Sequence, residues 1–171
     1  VRAALRMELP LYDNEECVYL ARRVDAQTWL DQAIVCRDAD TGDIVWETET
    51  FQGFFGEQLG EAASTMRVQT PRLLSVSLGE IEHHVNDDVV VSIDRGGRAL
   101  ALDARTGQEL WKAAGLIDVV HGAALGADTL LIGGGDLRPG QRLDRGQPAN
   151  DRLPIVVALD ARTGEVRSTF E

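Results

Sequence analysis

Lysine is nearly missing from this chain: Lys112 is the single one among 17 basic residues, which face 28 acidic residues for a formal net charge of −11. An excess of that sign argues against nucleic acid and anionic membrane as partners, because both bind through cationic patches that release counterions. No apolar run approaches the roughly 20 residues of a membrane-spanning helix. No basic, apolar and small-residue succession reads as a signal peptide, so direct membrane insertion is not expected. Catalytic signatures are scarce as well. There is no G-x-S-x-G elbow and no metal-protease motif. Cysteine occurs only at Cys17 and Cys36. The chain opens on Val1, which reads as a processed end or an internal cut. What is present is ordinary for a globular protein with one core: 171 residues, 44% of them hydrophobic.

One short phrase then occurs three times: RDADTGDIVW at 37–46, LDARTGQELW at 102–111 and LDARTGEVRS at 159–168. A phrase that recurs at tens of residues marks a repeat architecture. Each copy reads as a strand ending in Asp, a turn closed by Thr-Gly, and a second strand. Asp38, Asp103 and Asp160 can accept backbone N–H groups of their own turns, and Gly42, Gly107 and Gly164 can take the positive φ that reverses the chain.

The phrase A-L-D-x-x-T-G-x-x-x-W, best kept at Ala101, Asp103, Thr106, Gly107 and Trp111, resembles the repeat of the pyrroloquinoline-quinone-like β-propellers. That family holds quinoprotein dehydrogenases and outer-membrane-assembly propeller lipoproteins. The first copy keeps Asp38, Thr41, Gly42 and Trp46 but has Cys36 and Arg37 in place of Ala and Leu. The third keeps Ala158, Asp160, Thr163 and Gly164 and carries Ser168 where the tryptophan belongs. In the family this tryptophan docks one blade on the next, so the resemblance implies a weak seam after the third blade. It also slightly favours an extracytoplasmic location.

The predicted fold is all-β, a partial propeller of about three four-stranded antiparallel blades filling residues 1–171: blade 1 at about 3–49, an inserted loop at 50–71, blade 2 at about 72–113 and blade 3 at about 116–171. Strands A, B, C and D are predicted at 3–12, 16–23, 32–38 and 43–49 in blade 1. In blade 2, A, B and C are expected at 72–85, 88–94 and 98–103. Blade 3 should have its four at 118–126, 129–133, 154–160 and 165–170. Three blades are too few to close a ring of about 4 to 8. Further blades or self-association are therefore expected to complete it.

The copies differ in their loops. The B-to-C connections at 24–31 and 134–153, and the D-to-A connection at 50–71, are long, and alternating strand direction puts all three on one rim. Insertions gathered on one face of a repeat protein commonly form its binding face. Trp29, Phe51, Phe54, Phe55, Arg138, Arg142 and Arg145 on those loops are the candidate partner-binding residues, since aromatic and arginine side chains dominate interface hot spots.

Other candidates have plainer readings. Pairing B and C about the middle of loop 24–29 sets Cys17 opposite Cys36, at positions matching Val90 and Ala101; two buried thiols are expected, with a disulfide as the alternative. His83 and His84 are adjacent on a strand and point to opposite faces, so they cannot readily bind one metal; ordinary strand histidines are expected, with a channel-lining pair of His84 and His121 as the alternative. IGGGD at 132–136 lacks the following helix of a phosphate cradle and reads as a loop needing backbone freedom. The dehydrogenases of the resembling family carry a vicinal cysteine pair, acidic calcium ligands and a catalytic aspartate, none matched here. No catalytic, metal or cofactor residue is assigned. The expected function is a non-catalytic scaffold that binds a protein or peptide through the elaborated rim. The alternatives are a piece of a quinone- and calcium-dependent dehydrogenase whose ligands lie outside this chain, and a sensor propeller attached to another domain.

Overall fold

The computed structural model describes residues 8–23, 32–50, 81–94, 96–136 and 153–171. These form three antiparallel four-stranded sheets. Blade 1 contains β1 (Glu8–Asp13), β2 (Cys17–Arg23), β3 (Gln32–Asp38) and β4 (Ile44–Thr50). Blade 2 contains β5 (Ile81–Val85), β6 (Val89–Asp94), β7 (Ala99–Asp103) and β8 (Glu109–Ala113). Blade 3 contains β9 (Val119–Leu125), β10 (Thr129–Asp136), β11 (Leu153–Asp160) and β12 (Val166–Phe170). In every sheet the strands lie in chain order, and the first strands β1, β5 and β9 are the ones that approach each other from blade to blade. The all-β propeller architecture is thus the one the repeat predicts.

Strand periodicity explains how the blades stack. Along β6 and β7, Val89, Val91, Ile93, Ala99 and Ala101 join Leu130, Ile132, Val157 and Leu159 in a core between blades 2 and 3. Val90, Leu100 and Leu102 point the other way and join Tyr19, Ile34, Cys36 and Trp46 between blades 1 and 2. Both faces of blade 2 are therefore covered, and all six residues of β6 are buried. Such a strand needs a continuous apolar run rather than alternation, and VVVSID is close to one. Each fully buried Val, Leu or Ile contributes roughly 1.5–3 kcal/mol.

All three last strands bulge at the same repeat position. Pairing skips Val45 between Cys36↔Trp46 and Arg37↔Ile44, skips Leu110 between Ala101↔Trp111 and Leu102↔Glu109, and skips Arg167 between Ala158↔Ser168 and Leu159↔Val166. A bulge re-aims the side chains beside it. Here those side chains are Trp46, Trp111 and Ser168.

Two expectations are corrected. β10 runs on through the glycines to Asp136, with Gly134, Gly135 and Asp136 paired to Ile155, Pro154 and Leu153, so 134–136 is strand and the loop begins later. Gly134 is needed because β9 bulges at His121 and comes so close that a Cβ there would overlap the Val119 carbonyl oxygen. Loop composition alone conceals this, since the same glycines serve a turn or a tight strand approach. The cysteine pairing also differs: Cys17 lies opposite Asp38 and Cys36 opposite Tyr19, so the two are diagonal neighbours matching Val89 and Ala101. With Cα atoms 5.8 Å apart they form a disulfide rather than two thiols. Sheet twist brings one diagonal of an antiparallel pair closer, which a flat register drawn from sequence does not include.

Candidate functional site

The rim holding the short turns is closed by its own backbone. In the turns of the repeated phrase, Asp38 Oδ1 accepts from the N–H groups of Asp40 and Thr41 at 3.1 and 2.8 Å, and Asp103 Oδ1 from those of Arg105 and Thr106 at 3.1 and 3.0 Å. Asp160 Oδ1 takes the N–H groups of Arg162 and Thr163, both at 2.9 Å. Gly42, Gly107 and Gly164 follow with φ of +74°, +69° and +73°. The Thr163 backbone bond and the Arg167 guanidinium hold the Asp160 carboxyl down at about 2. These aspartates are committed to their turns and leave little capacity for an outside ligand.

The first hairpin turns tie the blades together on the same rim. Asn14 Oδ1 accepts from the N–H of Glu16 and Cys17, while its Nδ2 donates to Asp87 Oδ1 of blade 2 at 3.1 Å. Asn86 repeats this, folding its own turn and donating to the Gly126 carbonyl of blade 3 at 2.7 Å. Tyr12 adds its hydroxyl to Asp87 at 3.1 Å. Arg162 reaches back from blade 3 to Asp88 at 3.3 Å and Asp103 at 3.7 Å.

Because the turn rims touch in this way, the opposite strand ends also share one rim. Arg23↔Gln32, Gln32↔Thr50, Ile81↔Asp94 and Asp136↔Leu153 are the pairs furthest from the short turns. The long connections 24–31, 51–80 and 137–152 therefore all start and finish on that rim. Trp29, Phe51, Phe54, Phe55, Arg138, Arg142 and Arg145 lie outside the described residues. Two short connections also lie there: 114–118 between β8 and β9, where the Leu116 N–H donates to the Gly97 carbonyl at 3.3 Å, and the blade 2 hairpin, where Asp94 Oδ1 accepts from Gly96 and Arg98 N–H groups at 2.9 and 3.0 Å and the carboxylate pairs with the Arg98 guanidinium.

Between the blades, Trp46 and Trp111 each meet the next copy of the repeated turn. Trp46 Nε1 donates to the Ala104 carbonyl at 3.0 Å, and Trp111 Nε1 to the Ala161 carbonyl at 2.9 Å. The rings lie on glycine: a Cβ on Gly107 would come within 2.5 Å of Trp46, and one on Gly164 within 2.7 Å of Trp111. Gly107 and Gly164 are thus required twice, by their φ and by the indole. Tyr19 strengthens the first seam with a 3.1 Å bond from its hydroxyl to the same Ala104 carbonyl. The alanine acceptor went unread in the sequence although its signal was there, since Ala39, Ala104 and Ala161 follow the turn aspartate in all three copies.

His83 Nδ1 lies 2.8 Å from the buried Ser92 hydroxyl, and His84 Nε2 lies 3.5 Å from Glu82. His121 sits at the bulge of β9. Burial, with a smaller contribution from His84, pushes the His83 pKa down to about 4 from the ordinary 6.5. The unfolded chain then takes up a proton below pH 6.5 that the folded chain refuses, so stability falls as pH drops from 6.5 towards 4, at up to about 1.4 kcal/mol per pH unit. Urea melts across that range should show the loss, and His83→Asn should flatten it; an unchanged slope in the variant would show that another group titrates.

Among the described residues, no three His, Cys, Asp or Glu side chains gather as a metal ion requires. Cys17 and Cys36 sit on different strands, joined to each other. The described residues therefore do not fit a quinone-and-calcium centre.

Residues 30–167, well over half the chain, match the family model described as Outer membrane protein assembly factor BamB. No curated protein matches in sequence. Among solved structures, BamB from Moraxella catarrhalis is similar at 20% identity and a TM-score of 0.49, over 94% of this chain and 35% of that one. A europium-containing methanol dehydrogenase aligns at 20% identity and a TM-score of 0.52, over 98% of this chain and 25% of that one. The quinohemoprotein alcohol dehydrogenase from Comamonas testosteroni aligns at 16% identity and a TM-score of 0.53, over 96% of this chain and 21% of that one. The chain thus spans about a third or less of these proteins. Repeated turn, bulged last strand and tryptophan seam, together with the match over 30–167, place the chain in the BamB-type family of pyrroloquinoline-quinone-like β-propellers.

Proposed function

We propose that this chain is a binding scaffold that recognises a protein or peptide partner through the rim carrying connections 24–31, 51–80 and 137–152. The observation that carries this reading is the division between the rims. On one, the described turns are short and their polar groups are spent on one another. On the other, three long connections depart from a rigid frame of paired strands, the arrangement in which loops vary to bind while the scaffold stays fixed. The formal charge of −11 turns the reading away from nucleic acid. Membership in a family named for outer-membrane protein assembly supports a protein partner over a small substrate. The Cys17–Cys36 disulfide supports an extracytoplasmic setting, where such bonds persist.

Deleting 138–150 is expected to leave the thermal transition in place and to abolish capture of partners from an extract of the source cells in a pull-down. Capture unchanged by the deletion would remove that loop from the binding surface.

A further inference from the structure

The Cys17–Cys36 bond belongs to blade 1, and its cover belongs to blade 2. The hairpin of β2 and β3 pairs without a break from Cys17↔Asp38 to Arg23↔Gln32, so its own register brings the two cysteines to a Cα separation of 5.8 Å. Nothing in blade 2 is needed to bring them together. Yet both cysteines share the core between blades 1 and 2 with Val90, Leu100, Leu102 and Ala104, and are only 7% and 0% exposed. Neither other blade carries such a pair: the two places are held by Val89 and Ala101 in blade 2 and by Thr129 and Ala158 in blade 3.

The cover is also latched. Tyr19 and Trp46 flank Cys36 on the neighbouring strands with ring centres 6.1 Å apart, and both donate to one acceptor, the Ala104 carbonyl, at 3.1 and 3.0 Å. Ala104 is thereby clamped across the place of Cys36 from the blade 2 side. Disulfides form and break when a thiolate attacks a disulfide sulfur and passes through a mixed disulfide, so a third sulfur has to reach one of the two Sγ atoms. With blade 2 docked, that approach is shut.

We propose that the bond is installed on blade 1 before blade 2 docks, by exchange with a disulfide oxidant, and that docking then seals it against reductants. In the installing step one cysteine thiolate attacks the oxidant's disulfide and releases the first of its thiols. The second cysteine thiolate then attacks the sulfur of the first and releases the other thiol. Cys17 and Cys36 together lose two protons and two electrons, and the oxidant's disulfide is reduced to two thiols. The seam between blades 1 and 2 is thus the gate of a redox site: closed, it keeps the bond, and open, it exposes it.

The test exposes the native, oxidised full chain to dithiothreitol and counts free thiols at timed intervals by alkylation and mass. Reduction should run at least about a hundredfold slower than in the chain unfolded in urea, because only the opened fraction reacts. Leu102→Ala, which thins the seam over the bond, should speed reduction at least about tenfold, whereas Leu159→Ala, the same repeat position in the seam between blades 2 and 3, should leave the rate unchanged. If L102A does not fold, Tyr19→Phe takes its place: it removes one of the two donors to Ala104 and should speed reduction about fivefold. In the other direction, glutathione disulfide present from the start of refolding should oxidise the reduced chain faster than the same amount added after the tryptophans are buried. A reduced chain that never buries them supports the same order, since docking then waits for the bond. Native reduction as fast as in urea, or equal acceleration by the seam variant and L159A, would overturn the seal. Oxidation of the chain with buried tryptophans as fast as from the start would overturn the order.

Discussion

Trp111→Ala is expected to cost about 3–5 kcal/mol of unfolding free energy, the range for removing a large aromatic side chain from a packed interior. The indole is 8% exposed and belongs to the core between blades 2 and 3. Its loss opens a cavity over Gly164 and also leaves the Ala161 carbonyl without the donor that Trp111 provided. Trp46→Ala should cost less, because Tyr19 still donates to the Ala104 carbonyl when Trp46 is gone. The order of the two variants in a denaturant titration thus tests the seam and not merely aromatic burial. A larger loss for Trp46 than for Trp111 would show that the shared carbonyl does not matter.

The second large effect belongs to the disulfide. Cys17 and Cys36 are 19 residues apart, and closing a loop of that length stabilises by about 3 kcal/mol through the lost freedom of the unfolded chain. The bridge also lies in the face that blade 1 turns to blade 2, with Cys36 fully buried between Tyr19 and Trp46 on the flanking strands. Replacing both cysteines by alanine should lower the denaturation midpoint by a corresponding amount while the far-ultraviolet spectrum stays that of a β protein. Thiol labelling of the unfolded, unreduced chain provides the check. Two labelled cysteines there, or a double variant as stable as the parent, would contradict the bond.

Much of this frame can be read from the residues, and particular residues show why. The turns were legible because Asp38, Asp103 and Asp160 with Gly42, Gly107 and Gly164 form a local structure, complete within a few residues. That only two of the three copies carry the seam indole was legible from Ser168, because a missing tryptophan is visible in any alignment of the copies. Gly134 was misread because its role depends on Val119, far away in sequence and brought near only by the bulge at His121. The cysteine register failed for a related reason: loop 24–31 does not announce its own midpoint, and one residue of drift at a hairpin's centre moves the cross-strand partner by two. Nothing about the alanine carbonyls could be seen in side-chain chemistry, since the group that matters belongs to the backbone. The partner-binding candidates remain a reading of loop length and composition.

The forward aim of the tryptophans has a consequence for synthesis. Trp46 emerges 58 residues before Ala104, and Trp111 emerges 50 before Ala161. At about 5–20 residues per second, each indole waits on the order of 3–12 s for the turn that covers it. While this chain is being made, the face that carries Trp46 and then the face that carries Trp111 therefore stands uncovered until the next copy of the turn has been synthesised.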